Sequence, residues 1–72
     1  MSIMIGEKIR KYRKEKEISQ ETLAERLGVT FQAISRWERG EGYPDIAMLP
    51  IIAGFFNISV DELLGVSENM QD

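Results

Sequence analysis

The chain predicts an all-α fold, a compact bundle of five short helices, and three observations predict it. First, Ser19, Thr30 and Ser59 each follow a branched apolar residue (Ile18, Val29, Ile58) and precede another by four positions (Leu23, Ile34, Leu63). A hydroxyl there can accept from a first-turn amide while the flanking apolar pair clamps the chain's entry, which is how helices start. Second, apolar residues recur at helical spacing, as in Ile5, Ile9 and Tyr12 at i, i+4 and i+7. Third, Gly28, Asn57 and Gly65 stand where these periodic stretches stop, and such residues accept the left-handed backbone that closes a helix.

Seventy-two residues make one small domain, without room for a second core. A hydrophobic fraction of 43% and a charged fraction of 29% belong to a globular chain rather than a disordered one. The absence of Cys and His excludes disulfides, the usual zinc sites and any His-dependent triad, so neither metal nor cofactor is expected. No apolar run approaches the roughly 18 residues of a membrane span. The start, MSIMIGEKIRKYRK, lacks a signal peptide's order of charge before apolar core, and a cytoplasmic location is expected.

The net charge of −3 conceals a strong polarity. Residues 7–40 hold all nine bases and six acids, net +3, whereas residues 41–72 hold six acids and no base, net −6. A molecule with one cationic end orients that end toward polyanions, unless the basic run is only the solvated face of the first helix.

Taken in order, Met1 to Ile3 form a short lead, and the first helix is expected from Met4 to about Lys16, with Glu7–Lys11 and Lys11–Glu15 as i,i+4 pairs. The second runs from Gln20 to Leu27 with Leu23, Ala24 and Leu27 inward, and small Ala24 lets the third helix cross closely. The third follows Thr30 with Ala33, Ile34 and Trp37 inward, leaving Phe31, Gln32, Ser35, Arg36 and Arg39 outside. The turn-rich run GEGYPD leads to a fourth helix, capped by Asp45 or delayed by Pro50 to near Met48 or Leu49, reaching about Phe56. The fifth, Val60 to Leu64, starts with a Ser59-x-x-Glu62 capping box. Residues 1–65 are thus one domain, and 66–72 an acidic, disordered tail.

The second and third helices, joined by Gly28 and Val29, form a helix-turn-helix pattern. With SQETLAERLGVT, AISRWERG, YPD and the closing FFNISVDELLG, the sequence resembles the Cro and phage-repressor type of DNA-binding domain, also called Xre-like, over roughly Ile5 to Gly65. The resemblance implies a lambda-repressor-like bundle and a transcriptional regulator, commonly a repressor. It further implies sequence-specific binding of double-stranded DNA as a homodimer on an inverted repeat.

On that resemblance the start of the third helix enters the major groove, and Thr30, Phe31, Gln32, Ser35 and Arg36 face bases or adjacent backbone. Gln32 can pair bidentately with adenine and Arg36 with guanine, each worth about 1 to 3 kcal/mol of discrimination. Phe31 either contacts a thymine methyl or folds back against the second helix. Gln20 with the first amides of its helix matches one phosphate-binding position; Arg39, the Gly40 amide and Tyr43 match a second. Lys8, Lys11 and Lys14 are either further phosphate contacts or plain solvated charge. Arg13 and Glu38 occupy the positions of an intramolecular ion pair, and Trp37 reads as core.

An enzyme is not expected: the sequence has no Gly-rich phosphate loop and no carboxylate pair in a recognisable setting. The rival reading is a protein-bridging or antitoxin-like module on the same fold. Met48, Ile51, Phe55 and Leu64 exceed what one small core buries, which fits a self-contact or partner surface on the fourth and fifth helices.

Overall fold

The computed structural model describes residues 5–65, so the lead and the acidic tail lie outside the described residues. Five α-helices follow in order: α1 (Ile5–Glu15), α2 (Gln20–Leu27), α3 (Phe31–Glu38), α4 (Leu49–Phe56) and α5 (Val60–Leu64). A single 3-10 turn, Ile46–Met48, precedes α4.

The three hydroxyl caps form as the local sequence demands. Ser19 Oγ accepts from the Thr22 amide at 3.0 Å, Thr30 Oγ1 from Ala33 at 3.2 Å, and Ser59 Oγ from Glu62 at 3.0 Å. Gly28, Asn57 and Gly65 close α2, α4 and α5 in the left-handed region. The first helix ends the same way without a glycine, on Glu17 at φ 58°, with the Ile18 amide donating to the Arg13 carbonyl at 3.3 Å.

Two expectations about starts change. Asp45 makes no side-chain cap; its carbonyl instead accepts from the Met48 amide at 2.8 Å and opens the 3-10 turn. That turn delays α4 to Leu49, so Pro50 falls in the first helical turn, where its missing N–H has no partner to lose. At α5 only the forward half of the capping box is made. The Glu62 carboxylate turns to α1, where Oε2 accepts from Tyr12 at 2.5 Å and from Lys8 at 3.3 Å.

Every helix contributes to one core. Ile5 and Ile9 of α1, Leu23 of α2, Ile34 of α3, Ile52 of α4 and Leu63 of α5 are fully buried, each worth about 1.5 to 3 kcal/mol of transfer free energy. Ile18, Val29 and Ile58, the residues before the caps, pack against this cluster. The first helix is the backrest, lying against both α3 and α5, while α2 packs on α3 and α4. Helix α1 approaches the end of α3 tightly at Gly6, where an added Cβ would sit 2.1 Å from the Trp37 carbonyl oxygen. Only a residue without a side chain lets the start of α1 touch the end of α3.

Candidate nucleic-acid interface

Helix α3 is amphipathic, and its two faces have separate tasks. Ile34 and Trp37 are buried and Ala33 half-buried, which leaves Thr30, Phe31, Gln32, Arg36 and Arg39 exposed. Gln32 and Arg36 lie one turn apart and so point along one stripe. Phe31 is 40% exposed. Its ring at the start of α3 is thus partly covered and partly open to solvent. Ser35, expected outside, is half-buried and accepts through Oγ from Arg39 Nη1.

Behind α3 sits a charged brace. Arg13 Nε donates to Glu38 Oε2 at 2.7 Å and Nη2 to Oε1 at 3.0 Å, a two-pronged pair. Arg13 Nη1 also donates to the Ile18 carbonyl at 2.9 Å, so one guanidinium ties α1, the α1–α2 loop and α3 together. The pair is nearly dry, with side chains 12% and 5% exposed, and the Glu38 hydrogen bond raises the Arg13 pKa further. Gln20 joins it, Nε2 donating to Glu38 Oε1 at 3.1 Å. That amide nitrogen carries a second hydrogen, so Gln20 can brace Glu38 and still offer a donor outward, beside first-turn amides of α2 that no helical carbonyl reaches.

The phosphate position expected after α3 is built differently from the expectation. The Gly40 amide donates to the Trp37 carbonyl at 3.1 Å, and that of Glu41 to Arg36 at 2.9 Å. Gly40, at φ 75°, thus spends its N–H on closing the helix and has none to give an anion. Arg39 remains on the surface, where Nη2 donates to Glu41 Oε1 at 2.9 Å. Arg36 bends toward the same loop, its Nη2 3.5 Å from where a Cβ on Gly42 would be. Tyr43 is exposed, yet it faces an open apolar cleft of about 300 Å³ with Ile5, Pro44, Ile46, Leu49 and Leu64.

The lysines of α1 also depart from expectation. Lys8 is buried against Glu62, so it is not a solvated cation awaiting phosphate. Lys11 holds its ammonium over the Tyr12 ring, 5.1 Å from the centroid, and pairs with neither Glu7 nor Glu15. Ionised Glu62 pushes the Tyr12 pKa up to about 12, chiefly by accepting its hydroxyl; Tyr12 and Lys8 together draw the Glu62 pKa down. The Ser59-x-x-Glu62 spacing concealed this link, because it offered a local use for the carboxylate.

The arrangement has close counterparts. A profile of the helix-turn-helix family matches residues 9–63. The chain is 47% identical over 63 residues to the HTH-type transcriptional activator BcrR of Enterococcus faecalis, covering 88% of this chain and 31% of that protein. It is 40% identical to the HTH-type transcriptional regulator SinR of Bacillus subtilis over 62 residues, 85% of this chain and 56% of SinR. It therefore spans about a third to just over half of the length of these curated relatives. Among solved structures it is similar to the P22 c2 repressor in complex with a synthetic operator, at TM-score 0.79 and 39% identity, covering 85% and 92% of the two chains. SinR in complex with DNA aligns at TM-score 0.76 and 40% identity, covering 85% and 98%. With five helices, three hydroxyl caps and a braced α2–α3 pair matching that profile over most of its length, the chain belongs to the helix-turn-helix family.

Proposed function

We propose that this chain binds double-stranded DNA in a sequence-specific way as a cytoplasmic transcriptional regulator, most simply a repressor. The observation that carries this is the exposed stripe of Gln32 and Arg36 on a helix braced from behind by Arg13, Glu38 and Gln20. A helix dense in donors and held rigid is what the major groove accepts. The P22 c2 repressor–operator and SinR–DNA structures, similar over 85% of this chain, support that use. In this reading Gln32 and Arg36 read base edges, Thr30, Phe31 and Ser35 contribute beside them, and Gln20, Arg39 and Tyr43 hold phosphates. The protein acts as a homodimer through α4 and α5, with Ile51 of α4 53% exposed and Ile46 of the preceding 3-10 turn 80% exposed.

Selection from random duplex DNA, followed by binding across a salt series, tests the proposal. A palindromic consensus is expected, with a log-log salt slope near −0.9 per phosphate neutralised. Gln32→Ala and Arg36→Ala should relax preference at particular base pairs, and Arg39→Ala should weaken all duplexes alike. Salt-insensitive association, or three variants indistinguishable across the library, overturns this division of roles. The exposed apolar side of α4 favours a second reading, a protein-bridging module. A strictly monomeric chain without duplex affinity at low salt would select it.

A further inference from the structure

We propose that Glu41 is a built-in competitor for the DNA phosphate at the C-terminal end of α3, lowering affinity for every duplex without altering sequence preference. The inference rests on the DNA-binding reading and adds a residue that reading does not use.

The geometry is local and specific. Arg39 extends its guanidinium fork between two acceptors, Ser35 Oγ on α3 and Glu41 Oε1 in the following loop. Arg36 leans on the same loop at Gly42, and its charge also acts on the Glu41 carboxylate. Both cations draw its pKa down, Arg39 most through its hydrogen bond, and it stays charged throughout the neutral range. A planar guanidinium recognises carboxylate and phosphate through the same pair of N–H donors. Ser35 and Glu41 each take one of the guanidinium's five N–H donors, so an incoming phosphate oxygen either shares the Arg39 fork with Glu41 or displaces it. In either case a carboxylate remains beside the DNA backbone and repels it.

The contact is poised to exchange. Arg39 and Glu41 have side chains 54% and 58% exposed, and an ion pair so open to water holds its partners weakly. Phosphate can displace the carboxylate, but the displaced charge still opposes binding. Glu41 sits in the loop beyond the last turn of α3 and its hydrogen bond is to Arg39, the residue read as holding phosphate, so its main effect falls on backbone contact rather than base reading.

The test is fluorescence anisotropy with two duplexes, the one selected from a random pool and a scrambled control, over a salt series. Glu41→Gln is expected to tighten binding to both by a similar factor of about three to ten at low salt, the gain shrinking as salt screens the charge. In an Arg39→Gln background the gain from Glu41→Gln should fall by more than half. Unchanged or weaker binding by Glu41→Gln overturns the proposal while leaving the DNA-binding reading intact, as does a full gain without Arg39. A wild-type chain that binds neither duplex overturns both. Circular dichroism shows whether each variant keeps the helical fold, which two exposed side chains should not disturb.

Discussion

The two ends of this small bundle are finished in opposite ways. At the α2–α3 end the outer face of α3 exposes Gln32, Arg36 and Arg39, and behind it Arg13, Glu38 and Gln20 form a nearly dry hydrogen-bonded brace. At the α4–α5 end two large apolar side chains, Ile46 and Ile51, are exposed beside an open cleft lined by Tyr43, Pro44 and Leu49. A surface that reads base edges needs donors fixed in space, because a misplaced hydrogen bond discriminates poorly. A surface that meets another apolar surface needs area and shape, and charge there would oppose association. The charge polarity of the sequence follows this division on the cationic side, with every base before residue 40, whereas residues 41–72 carry six acids alongside their apolar residues.

Breaking the brace should have the largest effect. Glu38→Ala leaves the Arg13 guanidinium largely buried without its carboxylate, and about 3 to 5 kcal/mol of stability is expected to go. Chemical denaturation measures it; a loss below about 1 kcal/mol would mean the pair is effectively solvated and the contrast between the two ends overstated. Duplex binding should weaken even where folding is restored by lower temperature, since α3 loses its anchor.

The link between α1 and the far end should appear in the pH dependence. Folding raises the Tyr12 pKa from 10.0 to about 12, so its contribution is complete below pH 10.0 and is lost as pH rises through about 12. Glu62 is shifted down, so its contribution is present above the ordinary carboxylate range and is lost as pH falls through its lowered folded value. Thermal unfolding of wild type and Tyr12→Phe across the alkaline range should show a shallower decline for the variant. Parallel curves would place the source of alkaline loss elsewhere.

The smallest effect sharpens the apolar side of the comparison. Gly54 lies in α4 on the exposed side, and an added Cβ there meets nothing within 4 Å. Gly54→Ala should stabilise the monomer by up to about 1 kcal/mol through helix propensity. If copies meet through this part of α4, the same methyl should weaken self-association measured by sedimentation. Added stability with unchanged association would move the contact toward Ile46 and the cleft.

Much of this was legible because it is local. A hydroxyl cap, a left-handed glycine and a helical apolar stripe are each set by neighbours a few residues away, and Ser19, Thr30, Ser59, Gly28 and Asn57 act accordingly. The inward face of α3 and its outward Gln32 and Arg36 follow from periodicity alone. The Arg13–Glu38 contact was reached by resemblance and not by spacing, since 25 residues separate its partners.

The misses have a common cause. Lys8 looked like solvated charge, Glu62 like half of a capping box, and Gly40 like an anion donor; each has a plausible local use that a distant or competing partner overrides. Gly6 carried no local signal, because its reason lies in the Trp37 carbonyl across the interface between α1 and α3. By itself the sequence determined where α2, α3 and α5 begin, which residues of α2 turn inward and which half of the chain is cationic. Tertiary structure decided which charges are buried, which amides remain free and how Arg39 is shared. Helix starts depend on covalent neighbours, whereas a charged side chain's partner depends on which helices the core brings side by side.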